Sequence, residues 1–123
     1  MKYITTQYLW SHQNEVFVFG DNNKRVGCGG AAKLRGEPNT YGFITKKAPD
    51  HNDGSYYHPE EYEGVFVREY VKLHNEIKTH PEKKYLISKL GAGLANRYHI
   101  FEKIIEPNLK SGLEHLPNVE FLW

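Results

Sequence analysis

Two glycine-rich segments carry the clearest chemical signal in this sequence of 123 residues. The first is Gly-Cys-Gly-Gly at residues 27–30, and the second is Gly-Ala-Gly-Leu at residues 91–94. Glycine lets backbone amides approach a ligand closely, and the N–H groups at the start of a helix attract anions. Such segments suit the binding of a diphosphate and need no catalytic side chain.

Each glycine-rich segment follows a predicted β-strand. The apolar run at residues 16–19 ends in Gly20, Asp21 and Asn22, and the run at residues 85–90 leads directly into the second segment. Ligands of parallel α/β folds bind outside the carboxyl ends of the strands. We therefore expect the two segments to face one another across a single site.

The remaining pattern predicts a three-layer α/β/α fold. Residues 41–45 and 119–122 resemble further strands, and residues 59–77 carry apolar side chains at helical spacing. A helix over residues 100–116 should kink or restart at Pro107, because proline removes a backbone donor. Strands that alternate with helices predict a largely parallel central sheet with helices on both faces.

Two shorter segments complete the predicted arrangement. The first glycine-rich segment should lead into a short helix, which Gly36 and Pro38 bring to an end. The polar residues 49–55 should form an exposed loop, where a lid could lie.

Length and composition narrow the class of protein. The chain fits one domain, residues 1–123, and no apolar run is long enough to cross a bilayer. No signal-peptide pattern opens the chain, and the single cysteine, Cys28, suits a reducing compartment, so we expect a cytoplasmic protein. Because 16 Lys and Arg balance 15 Asp and Glu, nucleic acid is an unfavourable partner and anion recognition must be local.

Neither glycine-rich segment matches the better-known phosphate-binding motifs. The sequence has no G-x-x-x-x-G-K-[ST], and residues 27–30 lack the spacing of G-x-G-x-x-G. A single segment of this kind is more often only a tight connection. Two segments at two strand ends favour a binding site.

The order of four motifs resembles that of the macrodomain superfamily. The motifs are V-F-V-F-G-D-N-N at residues 16–23, G-C-G-G-A-A at 27–32, I-T-K-K at 44–47 and L-G-A-G-L at 90–94. Within that superfamily, they are most similar to the branch of the terminal ADP-ribose protein glycohydrolase and to small phage and bacterial macrodomain-like proteins. The resemblance implies a macrodomain-like fold that binds ADP-ribose or a related NAD-derived nucleotide without a separate cofactor.

The resemblance also implies which residues form the site. The first glycine-rich segment would wrap the diphosphate and distal ribose, and the second would hold the other side of the nucleotide. Tyr98 follows the second segment and could stack on the base, or pack at the edge of the core. The expected ligand-binding residues are Gly20, Asp21, Asn22, Gly27, Cys28, Gly29, Gly30, Ala31, Thr45, Gly91, Ala92, Gly93, Leu94 and Tyr98.

Catalysis would depend on a lysine and an acid. By resemblance, Lys46 has the place of the lysine that attacks the distal ribose in the glycohydrolase branch. The acid of that branch follows the second glycine-rich segment, where this sequence has Ala95 and Asn96. With that pair incomplete, Asp21 is the alternative acid or base. Three functions stay open: a nucleotide-binding module, an ADP-ribosyl hydrolase that uses Lys46, and a non-catalytic interaction protein.

Other reactive side chains have ordinary interpretations. Lys46 and its neighbour Lys47 could simply be a solvated strand end, and Cys28 could be a nucleophile or only a small residue that is easily buried. One polar stretch contains the possible metal ligands His51, Asp53 and His58. Their spacing matches no zinc pattern, so we expect no metal. The oligomeric state does not follow from the sequence.

Overall fold

A parallel β-sheet forms the centre of the structure, a computed structural model that describes residues 3–27 and 29–123. The sheet of these described residues has four strands in the order β2-β1-β3-β4, and every neighbouring pair is parallel. The predicted mixed α/β class with a parallel central sheet is therefore confirmed. The strands are β1 (Glu15–Asn22), β2 (Thr40–Lys46), β3 (Lys84–Ile87) and β4 (Val119–Phe121).

The helices of the described residues are of three kinds. The α-helices are α1 (Thr6–Ser11), α2 (Pro59–Thr79) and α3 (Glu106–Leu113). Two 3₁₀ helices, Gly30–Leu34 and Asp53–Ser55, lie in the connections, and a π-helical turn, Phe101–Ile105, leads into α3. The sequence pattern did not predict α1, because six residues are too few to show a helical period. The sequence does contain a favoured N-cap residue for it: the Thr5 hydroxyl accepts a hydrogen bond from the Tyr8 amide at 3.1 Å.

Alternation along β1 divides the core into two layers. Val16 and Val18 point to the face that α2 and α3 cover, whereas Phe17 and Phe19 point to the opposite face. Leu9 of α1 and residues of the first 3₁₀ helix cover that second face. Both faces are therefore buried, which explains why β1 is apolar at successive positions.

Helix α2 holds β2 in place at the edge of the sheet. The buried carboxylate of Glu69 accepts a hydrogen bond from the Ile44 amide at 2.8 Å, and the Tyr62 hydroxyl donates to the Ile44 carbonyl at 2.5 Å. These side chains satisfy backbone groups that an edge strand would otherwise leave unpaired. The helix thereby fixes the end of β2, which carries Thr45 and Lys46.

The predicted break at Pro107 is a change of helical type. The chain is π-helical over Phe101–Ile105 and α-helical from Glu106 onward. Proline has no N–H to donate to the preceding turn, and a wider turn accommodates its ring. The break lies directly behind the second glycine-rich segment, against which Ile105 packs.

Candidate functional site

A cavity of about 330 Å³ opens at the carboxyl ends of β1, β2 and β3. Its floor comes from the ends of these strands, and its walls come from the two glycine-rich segments. The described residues that line it are Gly20, Asp21, Asn22, Val26, Gly27, Gly29, Ala32, Thr45, Lys46, Pro49, Ser88, Lys89, Leu90, Gly91, Gly93, Leu94 and Ala95.

The two glycine-rich segments face one another, as the parallel strands predict. A Cβ added to Gly20, near the end of β1, would lie 3.6 Å from the amide nitrogen of Gly91, so the second segment lies against the end of β1. A Cβ added to Gly29 would lie 3.7 Å from a methyl group of Leu94. One site therefore takes its walls from both segments.

Most of the predicted site residues are brought together here. Ten line the cavity: Gly20, Asp21, Asn22, Gly27, Gly29, Thr45, Lys46, Gly91, Gly93 and Leu94. Ala92 belongs to the second segment but lies outside the lining, and Tyr98 lies apart from it. Gly30 and Ala31 belong to the first 3₁₀ helix, and Cys28 lies outside the described residues.

Asp21 is the anchor of the first segment. Its side chain, 2% exposed, accepts hydrogen bonds from the guanidinium groups of Arg25, at 3.2 Å, and Arg35. The Asn22 amide donates to the same carboxylate at 2.7 Å. Both carboxylate oxygens are therefore engaged, which favours a structural role for Asp21 over the acid-base role considered from the sequence.

The same network shapes the loop that follows β1. Arg35 donates to the carbonyl groups of Val26 and Gly27 at 3.2 and 3.3 Å, and the Asn22 side chain donates to the Val26 carbonyl at 2.7 Å. Gly27 has a φ of +99°, which favours glycine. Gly42 on β2 makes room, because a Cβ there would collide with the Asp21 carboxylate.

The second segment is held by packing. Gly91 has a φ of +78°, and a Cβ added to it would lie only 2.6 Å from the Cδ1 atom of Ile105. The hydroxyl of Ser88 donates to the Val18 carbonyl at 2.7 Å and joins the end of β3 to β1. Ala95 is buried in the cavity wall, so this position presents only a methyl group to the cavity.

Lys46 is buried at the end of β2, with 8% of its surface exposed. Its ammonium group donates to the Asp50 carbonyl at 2.9 Å and lies 4.5 Å from the centroid of the Tyr56 ring. The guanidinium group of Arg97 lies 4.3 Å from the same centroid. In this arrangement the Lys46 ammonium holds the loop after β2, so an attack on a ligand would require its release from Asp50.

The loop after β2 is tied to the chain beyond the second glycine-rich segment. Asp53 pairs with Arg97 at 3.2 Å and accepts a hydrogen bond from the Tyr98 hydroxyl, and the Tyr98 ring stacks on His58 at 3.8 Å. The Tyr98 hydrogen bond lowers the pKa of Asp53, while the same bond raises the pKa of Tyr98. Tyr98 thus stacks within the protein instead of facing the cavity.

Electrostatics favour an anionic ligand. The charged side chains among the described lining residues are Asp21, Lys46 and Lys89. Arg25 and Arg35 already offset the Asp21 charge, so the surroundings of the cavity are positive in a chain whose formal net charge is only +1. A diphosphate would meet backbone amides and this positive charge together.

Helix dipoles contribute less than the sequence predicts. The first segment leads into a helix that is short, as predicted, and ends before Gly36 and Pro38; it is a 3₁₀ helix of five residues. The second segment is followed by turns at residues 95–99 before the next helix begins. Attraction for an anion must therefore come mainly from loop amides and lysines.

Several lining residues were not predicted from the sequence. Three of them could have been, because they lie where β3 ends and the second segment begins: Ser88, Lys89 and Leu90. Val26 and Pro49 had none, because their approach to the cavity depends on how two loops fold back. The same holds for the long-range pairing of Arg35 with Asp21.

Across residues 3–27 and 29–123, no three His, Cys, Asp or Glu side chains are grouped so that they could hold a metal ion. None of the helices there combines the length and hydrophobicity that a membrane span requires.

Comparison with known protein families gives a match over most of the chain. The model of a family of unknown function (DUF7831) matches residues 1–97, which include both glycine-rich segments, Lys46 and Ala95. No curated protein and no solved structure matches the chain. Because the match covers most of the 123 residues, the chain belongs to this family of unknown function, DUF7831.

Proposed function

We propose that the protein binds an ADP-ribose-like nucleotide in the cavity between the two glycine-rich segments. One observation carries the proposal: both segments meet over the carboxyl ends of β1 and β3 beside a surplus of positive charge. Close backbone approach suits a diphosphate, and positive charge disfavours an uncharged ligand.

The shape of the cavity supports a ligand of nucleotide size. Its volume of about 330 Å³ lies within the usual range of small-molecule sites. Val26 and Leu94 are exposed apolar side chains in its lining. They offer a surface for the uncharged parts of a nucleotide, while the loop amides and Lys89 would receive the phosphate groups.

Calorimetric titration with ADP-ribose, NAD, AMP and cyclic ADP-ribose tests this proposal. We expect ADP-ribose to bind and Gly29→Glu to abolish its binding, because a carboxylate in the lining repels a diphosphate. Gly29→Gln is the matched control, since it adds nearly the same bulk without charge.

The outcome separates charge from shape. Gly29 has a φ near −72° and faces only a Leu94 methyl group, so both variants should fold. Equal loss of binding in the two variants would indicate a steric effect alone. If the folded Gly29→Glu variant binds ADP-ribose with unchanged affinity, the nucleotide does not bind in this cavity.

Hydrolysis of an ADP-ribosyl group is the second candidate function. It is favoured because Lys46 is buried in the cavity lining, but Ala95 supplies no acid and Asp21 is engaged by two arginines. General acid-base help is typically worth about 10²–10⁴-fold in rate, so we propose binding without efficient turnover.

Release of ADP-ribose from an ADP-ribosyl-glutamate peptide decides between binding and hydrolysis. We expect little release by the natural protein. Robust release that disappears in Lys46→Ala would establish the hydrolase instead and would reopen the search for its acid.

A further inference from the structure

The outward face of α2 carries an apolar stripe that nothing within the described residues covers. Val67 and Val71 are 59% and 49% exposed, one helical turn apart, and Gly64 lies one turn earlier on the same face. The buried side chains Tyr62 and Leu73 of α2 lie on the opposite side. The stripe therefore points away from the core.

Gly64 is the unusual member of this stripe. It lies inside a 21-residue helix, where glycine is less stable than alanine. A Cβ added there would have no atom of the described chain within 4 Å, so packing inside the chain does not require a glycine. On an outward face, a missing side chain lets a second helix approach closely.

A groove borders the stripe on the side of α3. It has a volume of about 520 Å³, lies between α2 and the π-helical turn, and its apolar floor includes Phe66, Tyr70 and Ile104. Glu63 stands on the α2 side and Lys103 on the opposite side. Across residues 3–27 and 29–123, neither of these two charged side chains has a hydrogen-bond or ion-pair partner.

We propose that this face is the interface between two copies of the chain, related by a two-fold axis, with α2 packed against α2. A two-fold axis presents the same patch from both copies, so a residue that meets a partner residue is matched by the reverse contact. Opposite charges on the two sides of one groove fit this symmetry. Glu63 of each copy pairs with Lys103 of the other, and the valines and Gly64 form the centre of the contact.

The interface is separate from the proposed nucleotide site. None of the described residues that line the groove also lines the cavity between the glycine-rich segments. Association and nucleotide binding can therefore be measured independently, and failure of one proposal leaves the other standing.

Sedimentation velocity over a range of protein concentrations tests the proposal. We expect a particle of twice the 14.3 kDa chain mass. Glu63→Lys and Lys103→Glu should each raise the dimer dissociation constant at least about tenfold, because each brings like charges together. The double variant Glu63→Lys with Lys103→Glu restores opposite charges and should recover affinity to within about threefold.

Two further variants complete the design. Val67→Glu places a charge in the apolar centre and should abolish association, and Lys33→Glu changes charge on the opposite face of the sheet and should have no effect. All these positions are exposed, so circular dichroism should show folded variants.

Three results would overturn the proposal. One is a monomer at a chain concentration of about 1 mM, where even weak protein pairs associate. Another is a dimer that Val67→Glu and both single charge reversals leave unchanged. The third is a double reversal that is as weak as the single ones.

Discussion

The two glycine-rich segments reach the same cavity by different physical means. The loop after β1 is held by charge, since Asp21 lies between Arg25 and Arg35, and Arg35 also donates to the loop carbonyl groups of Val26 and Gly27. The segment after β3 is held by shape, since Gly91 has a positive φ and packs closely on Ile105. Similar glycine-rich sequences therefore do not imply similar energetics.

The contribution of each segment to a ligand differs as well. The cations next to the first segment are occupied by Asp21, so that segment offers backbone and shape. The second segment begins beside Lys89, which lines the cavity and has no carboxylate partner among the described residues. To a ligand, the first segment therefore offers mainly shape, and the second offers mainly charge.

The largest effect on stability should come from adding a side chain at Gly91, where the second segment has no room for one. Gly91→Ala should lower the free energy of unfolding by about 3 kcal/mol, because it combines left-handed strain with overpacking against Ile105. Gly93→Ala is the matched control, since a Cβ at Gly93 would have no neighbouring atom within 4 Å in the described part of the chain. It should change stability by less than about 0.5 kcal/mol. Urea unfolding measures the stability of both variants. Equal losses in the two would contradict the conclusion that close packing holds this segment in place.

A smaller loss should follow removal of the charge that holds the first segment. Asp21→Asn keeps the shape of the side chain but loses two ion pairs, so we expect a loss of about 2 kcal/mol in urea unfolding. Arg25→Gln should cost less, because the Arg25 side chain is 49% exposed and its ion pair is screened by solvent. A stability of Asp21→Asn equal to that of the natural protein would show that the network is not needed for the fold.

The division between shape and charge predicts a modest effect on binding. Lys89→Gln should weaken ADP-ribose binding about fivefold and reduce its salt dependence, as expected for the loss of one exposed charge. Lys24→Gln, in the first loop but outside the cavity lining, should leave the affinity within about twofold. Calorimetric titration at two salt concentrations compares them, and equal effects would mean that only long-range charge matters.

The smallest effect concerns the contact between Asp53 and Tyr98. Since the pKa of Asp53 is lowered below its ordinary value of 3.8 in the folded protein, this contact stabilises the fold above that value and is lost as the pH falls through the lowered pKa. NMR signals of the Tyr98 ring should therefore show a transition in strong acid, as Asp53 takes up its proton.

A pair of variants identifies the titrating group. Asp53→Asn should remove the acid shift of the Tyr98 ring, because Asp53 accepts the hydrogen bond from Tyr98. Asp50→Asn should keep the shift, because Asp50 lies in the same loop but accepts its hydrogen bond from the Ser55 hydroxyl. A shift that persists in Asp53→Asn would assign it to another group.

Periodicity and turn residues were enough to predict most of the fold. The apolar run of β1, the helical spacing of α2 and the break at Pro107 are local signals, and the structure confirms all three. Helix α1 was missed because six residues show no period. The 3₁₀ form of the first connecting helix was missed because glycine and proline mark where a helix ends, but not which helix forms.

The sequence by itself determined that two glycine-rich segments follow two parallel strands, and the geometry of parallel sheets requires such segments to share one edge. Only the tertiary structure decided how they are held there. Arg35 reaches Asp21 across 14 positions of the sequence, and Ile105 packs on Gly91 from the same distance along the chain. Contacts of this kind depend on how the loops and helices pack, so no local pattern of residues predicts them.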